Sequence, residues 1–203
     1  MDKLNFMSQN DKETVSKKEQ KVLSAVGNFF LETVKMLILA GITIGVVRYF
    51  LFKPFYVKGQ SMEPNFYEKD YLIIDELSYR FRAPKRGEVV VFRAPAGSDY
   101  YLKRIVGLPG EQVRIENQKV VVYNDDHPQG VIVDEVYLAE NTPGSITISL
   151  APDELFVLGD NRDASYDSRR FGPIKIGNIV GRAWLRGWPV DRINKLQTPN
   201  YQL

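Results

Sequence analysis

The chain has no cysteine and a single histidine, His127. The first absence removes disulfide frameworks, thiolate nucleophiles, thiolate zinc sites and iron–sulfur ligation together. It leaves the redox compartment open, because a thiol-free protein suits any. The second argues against a zinc enzyme, since such sites draw on several His or Cys ligands. A Ser-His-Asp hydrolase would depend on this one imidazole, and His127 sits in the turn-like stretch Asn-Asp-Asp-His-Pro-Gln-Gly, read as a solvated loop. Also missing are a G-x-S-x-G elbow, an H-E-x-x-H helix and a P-loop. The stretch DASYDS from Asp163 begins like a calcium loop, but Ser168 stands where that loop needs Gly and Ile174 where it needs a bidentate Glu. There is no excess of one charge either: 27 basic and 25 acidic residues leave a net charge of +2 and no electrostatic footprint for nucleic acid. The expectation is a protein with no metal, no cofactor and no nucleic-acid partner.

What is present suits one compact domain and an appendage: 203 residues, 44% hydrophobic and 12% aromatic. Residues 1–21 are rich in Lys, Glu, Asp, Gln and Ser, and we expect a polar tail over 1–28. Composition then changes sharply. Met36–Val47 is a run of 12 residues without a charge. Alone it is too short to span a bilayer and is compatible with a buried or interfacial helix. Extended from Phe29 to Phe52 it gives 24 residues, about 36 Å of helix at 1.5 Å per residue. Glu32, Lys35 and Arg48 near its ends can snorkel, and Glu32 and Lys35 at i,i+3 are placed to pair. We read 29–52 as a transmembrane anchor, with a core helix as the alternative. A cleaved secretory signal fits less well, since the polar lead is long and no small-x-small site follows Val47. Six Lys in the first 35 residues favour an N-terminus inside, although Arg48, Lys53 and Lys58 crowd the other flank.

From residue 53 to 192 the pattern turns to short β-branched and aromatic runs. Tyr71–Asp75, Glu88–Arg93, Tyr101–Gly107, Gln112–Glu116, Lys119–Tyr123, Ser145–Leu150, Leu155–Leu158 and Ile179–Leu185 read as strands. Asn117-Gln118 sits between two of them as a hairpin turn without the favoured Gly. Pro and Gly punctuate the remainder. Many short strands with turn signals imply a mainly β domain of antiparallel sheets, sandwich- or barrel-like, followed by a tail over 193–203.

Three segments are chemically unusual, and the residues alone leave each open. Gly59-Gln60-Ser61-Met62-Glu63-Pro64 follows the apolar helix closely; Ser61 either presents its hydroxyl to a cleft or caps a turn. In YLKRIVGLPGE, alternation puts Lys103 on one face with Tyr101 and Ile105, and Arg104 on the other with Leu102 and Val106. Both faces are apolar. Either an amine is pressed into low-dielectric surroundings, which lowers its pKa and lets it take a proton from a hydroxyl, or both cations sit at a strand end with their heads in water. The third segment, Asp160 to Arg170, packs three Asp, two Ser, an Asn and three Arg into 11 residues. It is either a polar surface loop or a hydrogen-bonded brace for something catalytic.

Taken together and in order, these segments resemble the bacterial type I signal peptidases over about residues 30 to 192. The ordered set is an apolar anchor, S-M-x-P (Ser61, Met62, Pro64), G-[DE]-V-V-x-F (Gly87 to Phe92), K-R-x-x-G-x-P-G-[DE] (Lys103 to Glu111), G-D-N-R-D-x-S-x-D-S-R (Gly159 to Arg169) and V-G-R-A (Val180 to Ala183). The resemblance implies a signal-peptidase-like β domain and a membrane-bound serine endopeptidase that removes N-terminal signal peptides from exported preproteins. It implies that Ser61 forms an acyl-enzyme and that a neutral, buried Lys103 is its general base. Ser165 would orient the lysine amine, Asp167 and Arg169 would brace the site, and Gly159, Asp160 and Asn161 would shape its floor. The Ser61 backbone N–H would be the oxyanion donor. Phe55, Val57, Met62, Tyr101 and Leu102 fall where the family lines small pockets for an Ala-x-Ala site.

Two positions depart from that pattern. Gly59 stands where some relatives have a Ser that supplies a second oxyanion donor, so that donor is unassigned here. Asn65 stands where many have Thr, and either residue caps the same turn. The implied partners are preprotein signal peptides, the lipid bilayer and the export translocon. The implied location is the plasma membrane, single-pass, with the N-terminus cytoplasmic and the catalytic domain outside; a thylakoid membrane is the alternative. With Ser61 only 9 residues beyond Phe52, the tether would keep the reaction near the bilayer and raise the effective concentration of enzyme and substrate. Two further readings differ in kind: a self-cleaving Ser/Lys protease and a non-catalytic membrane-tethered β module.

Overall fold

The computed structural model describes residues 21, 24–45, 52–199 and 201, and its backbone falls into two units, residues 1–48 and 49–203. The first unit contributes helix α1, Ser24–Gly45, long and apolar enough to cross a membrane. Its large side chains, among them Phe29, Met36, Leu37 and Ile44, are exposed. A helix apolar all round is at home in a bilayer or a core, not in water. Its two threonines are neutralised locally: Thr33 Oγ1 donates to the Phe29 carbonyl at 2.8 Å and Thr43 Oγ1 to the Leu39 carbonyl at 2.9 Å. Glu32 and Lys35 form no ion pair among the described residues.

Described helical residues already precede the expected 29, from Ser24 on, and Phe52 is the first residue of strand β1 (Phe52–Tyr56). Residues 46–51 and most of the expected polar tail lie outside the described residues. Pro54 is admissible in this strand because β1 is the edge of its sheet and, among the described residues, pairs with β2 alone.

The second unit is mainly antiparallel β. Its larger sheet runs in the order β1, β2 (Tyr71–Asp75), β11 (Ile179–Trp188), β3 (Val89–Arg93), β4 (Tyr100–Gly107), β9 (Glu154–Leu158), β10 (Ile174–Lys175), with β12 (Asn194–Lys195) beside β11. A smaller sheet is ordered β7 (Val131–Ile132), β6 (Lys119–Tyr123), β5 (Gln112–Glu116), β8 (Ile146–Ser149). All eight expected strands are present, with ends shifted by at most three residues. The two-residue ladders β7, β10 and β12 are too short to carry a sequence period. Asn117 and Gln118 both take positive φ, 48° and 62°, the backbone of a two-residue hairpin turn between β5 and β6.

Strand β3 lies inside the sheet, and both of its faces are buried. Val89 and Val91 pack with Val57, Met62, Phe66, Leu72 and Leu102 on one side. Val90 and Phe92 pack with Ile105, Leu155 and Val157 on the other. The smaller sheet turns Val113, Ile115, Val120 and Val122 onto Val106, Phe156 and Leu158. The detail that positions the site is a mismatch in strand length. The β4–β9 ladder runs from Arg104 to Gly107, whereas β4 pairs with β3 from Tyr100 to Arg104. Residues 100–103 therefore present a strand edge without a β9 partner.

Candidate active site

Ser61 stands in a loop pinched at its neck. Val57 N–H donates to the Asp70 carbonyl at 2.9 Å and Lys69 N–H to the Val57 carbonyl at 3.1 Å. Within the loop, Phe66 N–H reaches the Met62 carbonyl at 2.9 Å, and both side chains are buried in the core. Asp70, its side chain fully buried, holds the neck through Arg186 Nε at 3.1 Å and Arg192 Nη2 at 3.0 Å. Gly59 takes φ +76° ahead of the serine, a conformation that disfavours any side chain.

Lys103 comes from the middle of β4, 5% exposed. Its Nζ is 2.6 Å from Ser61 Oγ. Burial pulls the amine down from 10.5 to about 8, against the opposing pull of the Asp167 and Asp160 carboxylates. Such an amine is largely neutral at mildly alkaline pH and can accept the hydroxyl proton.

The loop after β9 grips the serine from behind. Asn161 N–H donates to the Ser61 carbonyl at 3.1 Å. Gly159 admits no side chain: a Cβ there would collide with Ser165 Oγ and the Ser61 carbonyl oxygen. Asp167 caps helix α2 (Ser168–Phe171), takes the Gly159 N–H at 3.0 Å and receives the Arg169 fork at 2.8 and 2.9 Å. Burial resists ionisation of Asp167, but the Arg169 fork, the Gly159 N–H and the Ser165 hydroxyl outweigh it and hold its carboxyl below the ordinary range. Asp160 accepts a bidentate pair from Arg104 at 2.8 and 2.6 Å and an Asn65 amide N–H at 2.9 Å. Arg162, fully buried, donates to the Gly159 carbonyl at 2.9 Å and forks onto Glu135 at 2.9 and 2.5 Å.

Beside the pair lies a cleft of about 610 Å³, lined among others by Phe55, Val57, Met62, Tyr101, Leu102, Ser61 and Lys103. The five residues expected to line small pockets are thus brought to one wall system with Ser61 and Lys103. No acceptor among the described residues takes the Ser61 N–H. The arrangement provides a hydroxyl, a neutralisable amine, a free backbone donor and an apolar cleft, which are the parts needed for acyl transfer.

The family described as signal peptidase, peptidase S26, matches residues 30–188. The chain belongs to the signal peptidase family, peptidase S26. It is 37% identical over 197 residues to a probable signal peptidase I-2 of Synechocystis sp., covering 94% of this chain and 86% of that one. It is 35% identical over 161 residues to signal peptidase I of Bacillus caldolyticus, covering 72% and 85%. A crystal structure of a signal peptidase I from Enterococcus faecalis V583 aligns at 30% identity over 50% of this chain and 97% of its own, with a TM-score of 0.44. Members of this family are serine endopeptidases, and Ser61, Lys103 and the whole 159–169 loop fall within the matched span.

Not every expected contact forms. Ser165 makes no hydrogen bond to Lys103; its Oγ is buried without a well-formed partner and lies toward the Asp167 carboxylate. His127 sits in the 124–130 turn, where Asn124 Oδ1 accepts its backbone N–H at 2.8 Å, and it does not line the cleft. Arg162, Glu135 and Tyr137 were not singled out from sequence. Arg162 lies inside the dense polar loop, so its density was a signal. Glu135, 27 residues before Arg162, and Tyr137 stand in an irregular stretch with no pattern to mark them.

Proposed function

We propose that this protein is a membrane-tethered signal peptidase that cleaves exported preproteins after an Ala-x-Ala-like site through a Ser61 acyl-enzyme, with neutral Lys103 as general base. The observation that carries the reading is the 2.6 Å approach of Lys103 Nζ to Ser61 Oγ at a buried amine. Ser61 donates its proton to Nζ as Oγ attacks the scissile carbonyl. The Ser61 N–H stabilises the oxyanion, a kind of interaction worth about 3 kcal/mol per donor in serine peptidases. The ammonium then returns the proton to the leaving amine, and the amine, neutral again, activates the water that releases the acyl group.

The unpartnered edge at residues 100–103 supports substrate binding as an added strand, with alternate side chains entering the cleft formed by Phe55, Val57, Met62, Tyr101 and Leu102. Apolar walls reject bulk by sterics. Helix α1 is the tether, with the plasma membrane as its location, the N-terminus cytoplasmic, and the translocon as the neighbour that delivers substrate.

The test is cleavage of a preprotein in detergent by the full chain, by Ser61→Ala and by Lys103→Ala. Each variant should lose cleavage while its circular dichroism spectrum is unchanged. Retained cleavage by either would remove the pair from the mechanism. His127→Ala and added chelator should leave the rate near wild type. Cleavage of the chain itself but not of a preprotein would favour a self-processing protease instead.

A further inference from the structure

The far face of β4 carries Arg104, next in sequence to Lys103 and opposite in direction. Its guanidinium is held on three sides. Nη1 donates to the Gly87 carbonyl at 2.9 Å, Nε and Nη2 fork onto Asp160, and the Tyr137 ring lies 4.0 Å away. The fourth side belongs to the segment that follows β12. Tyr201 packs with the cluster of Val106, Val113 and Phe156. Its ring lies so close to Gly87 that a Cβ there would meet Tyr201 Cε2 at 2.6 Å and its Oη at 3.1 Å, with Pro199 Cδ also at 3.1 Å. Alongside is a cavity of about 630 Å³, walled on one side by Asn194 to Pro199 and on the other by Pro64, Asn65, Arg104 and Tyr137.

We propose that Tyr201 is a positioning residue for Ser61, acting through Arg104 and Asp160. The proposal rests on the Ser61–Lys103 reading above. Tyr201 covers Gly87, whose carbonyl accepts from Arg104, and from that side keeps water from the Arg104–Asp160 pair. The attraction within an ion pair strengthens as water is excluded and the effective dielectric constant falls. Asp160 in turn holds the serine loop from two directions: its carboxylate takes the Asn65 amide at 2.9 Å, and the peptide that follows it supplies the Asn161 N–H to the Ser61 carbonyl. Without the Tyr201 ring water reaches the guanidinium from the Gly87 side as well, Asp160 loses its fixed partner, and Ser61 Oγ drifts from Nζ. Substrate binding on the other face of β4 is untouched.

The experiment uses the full chain in detergent and a fluorogenic preprotein peptide. It compares Tyr201→Ala, Tyr201→Phe, Asn65→Ala and the double variant Tyr201→Ala/Asn65→Ala, each confirmed folded at the assay temperature by thermal melting. Tyr201→Ala should lower kcat about tenfold with KM changed less than about twofold, and Tyr201→Phe should restore kcat to within about twofold of wild type. The double variant should be no slower than the slower single one, since both act along the same path. If Tyr201→Ala melts too early, Tyr201→Leu replaces it, with an expected loss of about threefold. Wild-type kcat in the folded variant, a rise in KM in place of the kcat loss, or losses that multiply in the double variant would each overturn the proposal. Ser61→Ala measured in parallel separates the two readings: if it still cleaves, the Ser61–Lys103 reading has failed; if it is inactive and Tyr201 has no effect, only this inference has.

Discussion

Asp167 works against the burial of Lys103: its carboxylate raises the amine's pKa while the apolar surroundings lower it, leaving it at about 8. The same carboxylate is itself held ionised by Arg169 and the Gly159 N–H. Lys103 is therefore set by a balance, and the balance has a sign. Wild-type kcat/KM should fall on the acid side with a midpoint near pH 8, because only the neutral amine accepts the serine proton. Asp167→Asn removes the larger of the two pulls toward the charged form, leaving that of Asp160, and frees the Arg169 cation, and both changes lower the amine's pKa. The acid limb should move to lower pH, while the maximum drops by about tenfold or more as the loop loses its brace. A limb that moves up in pH would contradict this assignment of charges.

The same amine weakens the fold. Its pKa falls from 10.5 in the unfolded chain to about 8 in the native protein. The unfolded chain thus holds more protons between those values, so stability rises with pH through that window and is lacking below it. At about 1.4 kcal/mol per tenfold, the charged amine costs the native state about 3 kcal/mol at pH 7. Lys103→Met, of similar length and apolar, should be inactive and more stable than wild type at pH 7. The gain should shrink toward zero near pH 10. Thermal melts at the two pH values measure it; equal stability differences at both would show that the amine is not strained by burial.

Why some of this could be seen in sequence and some could not follows from range. Ser61, Lys103 and Asp167 lie in dense local patterns, and the two faces of β4 follow from alternation alone. The strands Tyr71–Asp75 and Lys119–Tyr123 were bounded correctly because one or both of their faces are apolar and turns flank them. Phe52, the last residue of the expected anchor, stands in β1, and its ring is apolar whether it faces lipid or pairs in an edge strand. Nothing local marks Glu135 or Tyr201: each meets a partner more than 25 residues away, Arg162 for the first and Gly87 for the second. The Ser165 contact expected from family resemblance is a matter of side-chain direction, which no sequence pattern fixes.

Arg162 and Glu135 join the serine-gripping loop to the stretch after β7. Both side chains are buried, and Arg162 also reaches Thr142 and the Gly159 carbonyl. Removing one member strands the other's charge, a loss of about 3–5 kcal/mol for a buried pair. Glu135→Ala should destabilise the domain by that order and abolish cleavage at temperatures where the wild type is folded. Glu135→Gln keeps one acceptor for the fork and should lie between. Urea unfolding of the three proteins decides it, and an unchanged midpoint for Glu135→Ala would mean that the fork contributes nothing.

The cleft should decide which residues are tolerated before the cut. Phe55 is half-buried and lines it with Met62 and Leu102. Shortening Phe55 to Ala enlarges the space without touching Ser61 or Lys103. A cavity gain of a few methylenes is worth about 1–3 kcal/mol in discrimination. The ratio of kcat/KM for a peptide with Leu in place of one specificity-site Ala to that of the Ala-x-Ala parent should therefore rise about tenfold or more in Phe55→Ala. The ratio cancels any difference in folded protein between preparations. If it stays at the wild-type value for Leu at both the −1 and −3 positions, Phe55 does not limit either pocket, and the bulk-rejecting wall must be sought at Val57, Met62 or Leu102.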